Sequence, residues 1–130
     1  MIENNNRIFK VDELPYIELK YSTTFFECPQ KHYHNMICLL GLKKGSAKFI
    51  INENEVILKK QRLVVINPNE VHYSTLDKEN EDYYVIYIDR DWYKALQDQI
   101  FENQDIIALP NIIDALSINK DFFKLFDFFV

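Results

Sequence analysis

The segment LVVINPNEVH, residues 63–72, joins a fully apolar run to a turn that contains proline and is followed by a histidine. A short apolar run bounded by turn residues indicates a strand. Asn67, Pro68 and Asn69 are residue types that stop strands and form turns. His72 comes directly after this turn, so we expect it on the next strand. The segment therefore predicts two short strands joined by a turn, with an imidazole close to the turn.

Short strands are predicted on both sides of this segment. Residues 16–21 alternate in period two, with Ile17, Leu19 and Tyr21 on one face and Glu18 and Lys20 on the other. Further strands are predicted at residues 32–42, 48–52, 55–58, 63–66 and 83–88, with a tight hairpin at residues 52–54. Six or seven short strands at close spacing favour a sandwich or a barrel.

After residue 88 the pattern changes from strand to helix. Asp89 or Asp91 can cap a helix at this point. The helix carries apolar residues at four-residue spacing, namely Trp92, Leu96 and Ile100. Pro110 interrupts the apolar residues 106–113, which we therefore expect to form a short extended piece.

The last predicted helix covers residues 122–130, with Asn119 or Asp121 as its cap. Phenylalanines at 122, 126 and 129 lie on one stripe of this helix. So much apolar surface should be buried, either on the chain's own barrel or against a partner. We predict a subunit interface, or a seam to a following domain, at Phe122, Phe126 and Phe129.

Length and composition limit the classes of protein that fit. A chain of 130 residues suggests one domain, with an N-terminal arm at residues 1–15, a barrel at 16–90 and a helical segment packed on it at 91–130. A surface that binds nucleic acid is expected to be basic, so the formal charge of −5 argues against nucleic-acid binding by this chain alone. No signal peptide and no membrane span is visible, so we expect a cytoplasmic protein with no membrane partner. Lys43-Lys44 and Lys59-Lys60 are interpreted as solvated turns rather than an anion patch.

The three histidines are the most informative residues of the sequence. His32 and His34 form an H-x-H pair, and side chains two residues apart on a strand point to the same face. In an antiparallel barrel, His72 could lie opposite this pair. Three imidazoles that converge could bind one metal ion.

The layout of residues 32–74 resembles the two sequence motifs of cupins. A segment much like Val65-Ile66-Asn67-Pro68-Asn69-Glu70-Val71-His72 closes the second motif in the N-terminal domain of AraC-family transcriptional regulators, and the resemblance extends over roughly residues 15–126. It implies a mostly β fold, a cupin-type antiparallel β-barrel (double-stranded β-helix or jelly roll) with C-terminal helices. It also implies a small-molecule effector, a homodimer, and DNA binding through a separate basic domain. No such domain is recognisable in this sequence, so we expect it to lie outside this chain, which would then end at the sensor.

Two departures from the cupin pattern weaken the expectation of a metal site. Metal-dependent cupins carry glutamate where this sequence has Cys38, and Gln61 replaces the usual glycine before the second-motif strand. Cys38 shares strand parity with His34 and Met36, and a thiolate is a possible zinc or iron ligand. The metal set is therefore His32, His34, Cys38 and His72. The alternatives are that His34 and His72 are polar pocket or packing residues, or that the histidines are simply exposed.

The strand pattern also predicts which side chains meet a ligand. The inward positions are expected to include Tyr21, Met36, and Tyr84 or Tyr87, together with His34, Cys38 and His72, while Trp92 closes one end. Three functions compete on this basis. The first is the small-molecule sensor of an AraC-type regulator, without a catalytic residue. The second is a stand-alone metal-dependent cupin enzyme, a dioxygenase or an isomerase. The third is a binding module without a signalling role.

Overall fold

The computed structural model describes residues 7–11, 14–22, 30–76, 81–101, 105–115, 119–121 and 123–124. These residues form nine strands and the helix α1, and residues 119–121 and 123–124 are also helical. The elements are β1 (Arg7–Val11), β2 (Leu14–Ser22), β3 (Met36–Lys44), β4 (Ser46–Ile51), β5 (Asn54–Lys59), β6 (Arg62–Ile66), β7 (His72–Leu76), β8 (Glu81–Asp89), α1 (Arg90–Ile100) and β9 (Ile112–Asp114). No helix within these residues is long and apolar enough to cross a membrane.

The strands form two antiparallel sheets. One has six strands in the order β1-β2-β8-β3-β6-β9, and the other has three in the order β5-β4-β7. The predicted mostly β, antiparallel fold is confirmed. The sheet reaches beyond the predicted barrel at both ends, because β1 comes from the arm and β9 from the helical segment. The domain bounds at residues 15 and 90 stay predictions.

The turn between β4 and β5 confirms the predicted hairpin. Asn52 and Glu53 both have positive φ angles, 47° and 70°. Two successive residues with positive φ are what a type I′ hairpin turn requires. This turn fixes the register in which Phe49 faces Val56.

The central strands β3, β6 and β8 of the six-stranded sheet are buried on both faces. The inner face of this sheet and the three-stranded sheet enclose one apolar core, formed by Cys38, Leu40, Leu42, Ala47, Phe49, Ile51, Val56, Leu58, Val64, Ile66, Tyr83 and Val85. On the outer face of the six-stranded sheet lies a second core, formed by Tyr21, Ile37, Leu63, Val65, Tyr84, Ala115 and Phe123. Residues from the C-terminal third therefore cover the outside of the sheet, and burial of this apolar surface holds them there.

The helix α1 is confirmed, but the face that it buries differs from the prediction. Asp89 caps it, since its side chain accepts a hydrogen bond from the Trp92 backbone nitrogen at 2.9 Å. Gln97 is the buried residue of this helix, whereas Leu96 and Ile100 are exposed. The Gln97 amide instead ties α1 to the following segment, because it bonds the Asp105 carbonyl and the Ile107 N–H.

The end of the chain is also only partly as predicted. Residues 106–111 are not helical and lead into β9, which agrees with the expected extended piece. Asn119 is itself helical rather than a cap, and its side chain forms hydrogen bonds with the Tyr84 hydroxyl and the Lys60 carbonyl of the barrel. The predicted interface residues Phe122, Phe126 and Phe129 lie outside the described residues.

Candidate functional site

The turn after β6 brings the three histidines together. Pro68 is followed by Asn69 with φ of 65°, and the Glu70 N–H donates to the Asn67 carbonyl at 3.2 Å. Proline followed by a residue with positive φ is the pattern of a type II turn. The Asn69 N–H donates to the His34 carbonyl at 2.9 Å. The turn that the sequence predicted therefore also positions the histidine pair.

His32 and His34 do not lie on the strand that was predicted for them. Strand β3 begins only at Met36. His32 forms an isolated antiparallel bridge with His72, with backbone N···O distances of 3.0 and 2.9 Å. Backbone groups before residue 36 pair with the turn and with β7 rather than continuing β3, so the assumption of one shared strand is wrong. The convergence of the three side chains, which was inferred from it, is nevertheless observed.

The three imidazole rings pack against one another. Their centroids are 4.1 Å apart for His32 and His72 and 4.8 Å apart for His34 and His72, both edge to face. The Nδ1 atoms of His32 and His72 lie 2.9 Å from the carbonyls of Gln30 and Glu70. A carbonyl only accepts, so each Nδ1 carries a proton, and in the neutral form of either ring Nε2 is the nitrogen with the lone pair.

These rings border a cavity of about 320 Å³ between the two sheets. It is lined by Lys20, His32, His34, Cys38, Leu40, Phe49, Ile66, His72, Ser74, Tyr83, Val85 and Tyr87. An apolar wall with a few polar groups that point inward is the usual composition of a small-molecule site. Among the described residues that line the cavity, Lys20 is the only lysine or arginine.

Burial sets the charge state of the site. It lowers the pKa of His34 and His72 below 6.5, so both imidazoles are neutral at neutral pH. Burial likewise raises the pKa of Cys38 to about 12, and raises that of Tyr87 to about 12 with a smaller contribution from Cys38. The Cys38 Sγ lies 3.5 Å from His34 Nε2. At neutral pH the cavity therefore contains the neutral imidazoles of His34 and His72, the neutral Cys38 thiol and the neutral Tyr87 phenol, and Lys20 lies at one side.

We expect the protein to lose stability as the pH falls through the histidine range. Between the lowered folded pKa and 6.5, unfolded His34 and His72 bind more protons than the folded residues do, so the free energy of unfolding rises with pH there. The loss begins near pH 6.5 and grows below it. Urea unfolding at pH 7.5, 6.5 and 5.5 measures it. In His72→Gln this dependence should flatten, and an unchanged slope would contradict the assignment.

The predicted metal set fits this geometry poorly. Two imidazoles on one tetrahedral ion keep their ring centroids roughly 5 Å apart, which is more than the 4.1 Å between His32 and His72. The Cys38 thiol is neutral. Within the part of the chain that the structure describes, no three His, Cys, Asp or Glu side chains are placed to hold a metal ion. The residues as arranged form a polar wall of the cavity, and the metal site stays a prediction.

Several predicted ligand-binding residues lie elsewhere. Tyr21 and Tyr84 belong to the outer core, and Trp92 stacks on Tyr16 with centroids 6.0 Å apart. Met36 is 38% exposed at the start of β3 and does not line the cavity. The inward orientation predicted for Tyr21, Met36 and Tyr84 is wrong, whereas Tyr87, the alternative to Tyr84, does line the cavity. The alternating pattern indicates two faces, and on β2 and β8 both faces are covered.

Of the cavity side chains with polar groups, the sequence reasoning missed Lys20, Ser74 and Tyr83, and it also did not single out the apolar wall residues Leu40, Phe49, Ile66 and Val85. Lys20 was expected on the polar outer face of β2, opposite Tyr21. The sequence of β8 could have indicated this position for Lys20, because Tyr83, Val85 and Tyr87 alternate there with equally apolar residues. A strand that is apolar on both faces is covered on both, so the polar face of its neighbour β2 had to border the interior.

A polar cluster connects the cavity to the outer segment 105–115. The Glu70 carboxylate accepts from the Asn67 backbone N–H at 2.7 Å, from its side-chain amide at 2.8 Å, and from the Asn111 amide at 3.1 Å. Its other oxygen accepts from the Asn52 amide at 3.0 Å. The Asn67 side chain also exchanges two hydrogen bonds of 2.9 Å with the Leu109 backbone. The same turn thus contacts His72 on one side and the outer segment on the other.

Two antiparallel sheets around a cavity bordered by histidines define a cupin-like domain. The family model described as the AraC-like ligand binding domain matches residues 16–126. The chain therefore belongs to the family of AraC-like ligand binding domains.

Several solved structures share this fold. An oxalate decarboxylase from Bacillus subtilis has a TM-score of 0.56 at 16% identity, covering 88% of this chain and 45% of its own. Apo ToxT from Vibrio cholerae has a TM-score of 0.55 at 12% identity, covering 85% and 46%. A cupin 2 conserved barrel domain protein from Leptotrichia buccalis has a TM-score of 0.54 at 17% identity, covering 66% and 41%.

At these identities the likeness concerns the fold alone. The chain spans less than half the length of each of these three proteins. No curated protein matches the sequence.

Proposed function

We propose that this chain is the small-molecule-sensing domain of an AraC-type transcription factor, and that it acts as a cytoplasmic homodimer. DNA binding belongs to a separate basic domain. The observation that carries the proposal is the cavity of about 320 Å³ between the sheets, inside a domain of the AraC-like ligand binding family. The chain itself has no catalytic residue in this proposal.

The cavity lining suggests the character of the effector. Neutral His34 and His72 and the hydroxyls of Ser74 and Tyr87 exchange hydrogen bonds with a polar ligand. Lys20 favours a ligand with a negative or electron-rich group near β2. Leu40, Phe49 and Val85, on the inner walls, suit an apolar portion. We propose a compact effector with several polar groups.

A sensor must pass the occupancy of its cavity to the outside. His72 Nδ1 donates to the Glu70 carbonyl at 2.9 Å, and the Glu70 side chain bonds Asn111 on the outer face. A ligand that displaces His72 therefore also moves the turn that anchors residues 105–115. We propose that this turn has two positions, and that the effector binds one more tightly, which is the condition for any shift between them.

Binding in the cavity predicts a specific response to two matched tyrosine substitutions. A ligand at a hundredfold excess over its Kd stabilises a protein by about 2.7 kcal/mol, or roughly 10 °C in Tm. A thermal-shift screen of sugars, amino acids and small carboxylates should find such a ligand. Tyr87→Phe removes a cavity hydroxyl, so we expect about tenfold weaker binding and a smaller shift.

The control is Tyr84→Phe on the outer face. It removes the hydrogen bond of 2.6 Å to Asn119 and lowers the starting Tm. The shift caused by the ligand should stay as in the unmodified protein. If the ligand-induced shift in Tm decreased equally in Tyr84→Phe and Tyr87→Phe, the ligand would not be bound in the cavity.

The second candidate is a metal-dependent cupin enzyme. One observation favours it: the Nδ1 atoms of His32 and His72 are held by carbonyls, which leaves both Nε2 lone pairs for a metal. Metal analysis of protein purified without a histidine tag separates the two functions. Stoichiometric zinc, iron or manganese that is lost in His72→Ala would favour the enzyme, and metal-free protein that binds an effector would favour the sensor.

A further inference from the structure

A second cavity lies at the far end of β3 from the histidines. It measures about 260 Å³ and lies between the end of β3, the β5–β6 turn and the helical residues 119–121 and 123–124. We call it the lysine groove, and its lining residues are Leu42, Lys43, Lys60, Asn119, Lys120, Phe123 and Lys124. Leu42 and Phe123 are buried, so the floor is apolar.

Its rim is cationic, although the chain as a whole is acidic. Lysines from three separate segments contribute, namely Lys43, Lys60, Lys120 and Lys124, and all four are exposed. Among the described residues that line the groove, none is acidic. A chain of net charge −5 repels anions in general, so the four ammonium groups create a local field of the opposite sign.

The two sides of the groove are held together by a buried polar residue. The Asn119 amide donates to the carbonyls of Lys60 and Arg62, both at 2.9 Å, and its oxygen accepts from the Tyr84 hydroxyl at 2.6 Å. Asn119 is only 2% exposed. The helical turn that carries Lys120 is therefore fixed against the turn that carries Lys60, which positions the backbones of the lysines before any ligand arrives.

We propose that the lysine groove binds a small carboxylate with an apolar body. The apolar body of the ligand leaves water by packing against the apolar floor and the aliphatic stems of the lysines, and the carboxylate meets the ammonium groups of the rim. A volume of about 260 Å³ is near the lower end for small-molecule sites. The groove's seven described lining residues are far fewer than the roughly 20–30 residues that each side of a stable protein–protein contact contributes. This site is separate from the cavity of the proposed function.

The probe is 3-phenylpropionate, compared with its neutral amide. We expect binding that shifts the backbone NMR signals of Leu42 and Asn119, and about tenfold weaker binding of the amide. Added salt should weaken the binding of the carboxylate and leave the affinity for the amide unchanged. Equal affinity for acid and amide, or no shift at these two residues at millimolar probe, would overturn the proposal.

Matched variants locate the site. The double variant Lys60→Gln/Lys120→Gln should bind the carboxylate about tenfold more weakly, because each exposed lysine–carboxylate ion pair contributes only modestly to the affinity. Lys31→Gln/Lys48→Gln changes the same charge away from the groove and should leave binding unchanged. If Lys20→Met abolishes binding, the carboxylate lies in the histidine cavity and the proposal is wrong. It is also wrong if a glutamate-rich peptide binds the groove more tightly than the small acid.

Discussion

Gly41→Ala is expected to destabilise the protein by about 3 kcal/mol or more. A methyl group on Gly41 would lie 2.2 Å from Cε1 of the Tyr84 ring and 2.6 Å from its hydroxyl. Tyr84 is fully buried, and its hydroxyl is held by Asn119. The ring can only move by giving up this hydrogen bond and its packing in the outer core. Urea unfolding measures the loss, which is a large share of the stability of a domain this size.

The matched test is a double-mutant cycle with Tyr84→Leu. Tyr84→Leu alone should also be destabilising, since it leaves a cavity and an unpartnered Asn119 oxygen. In the double variant the alanine methyl occupies space that the ring has left. We therefore expect it to be more stable than the sum of the two single losses predicts, by about 1–3 kcal/mol. Simple additivity would mean that Gly41 and Tyr84 do not meet.

Glu70→Ala is expected to cost about 3 kcal/mol and to loosen the segment 105–115. The carboxylate accepts four hydrogen bonds from Asn52, Asn67 and Asn111, and bonds to a charged acceptor are the stronger ones. Its removal leaves donors without their acceptor at the partly buried turn. Urea unfolding measures the total cost.

Hydrogen exchange measures where the loss occurs. The amides of Val65 and Leu109, which bond the Asn111 carbonyl and the Asn67 side chain, should exchange faster in Glu70→Ala. The control Glu55→Ala removes a solvent-exposed partner of Lys48 at 4.0 Å, so its effect should stay within about 0.5 kcal/mol. Unchanged exchange at Leu109 in Glu70→Ala would contradict the role of the turn as a link to the outer face.

Part of the site was predictable because some of its structure depends on residues that are close together in the sequence. The Pro68-Asn69 turn sets the start of β7, and the histidines bear the spacing that resembles the cupin motifs. The assignment of Tyr21 and Tyr84 to the interior failed for a different reason. Alternation shows that a strand has two faces, but β8 is apolar on both, so period two alone does not tell which face points inward.

The sequence by itself determined the short strands, the hairpin at residues 52–54, the turn before His72 and the family resemblance, because turn chemistry and period-two patterns act between near neighbours. Only the tertiary structure decided that Lys20 borders the cavity, that Glu70 links it to residues 105–115, and that lysines far apart in sequence share a groove. These arrangements depend on hydrogen bonds and packing between segments about 40 to 60 residues apart, such as Asn67 with Leu109 and Asn119 with Lys60. No local pattern encodes such pairings, since they form only when both sheets and the covering C-terminal third have assembled.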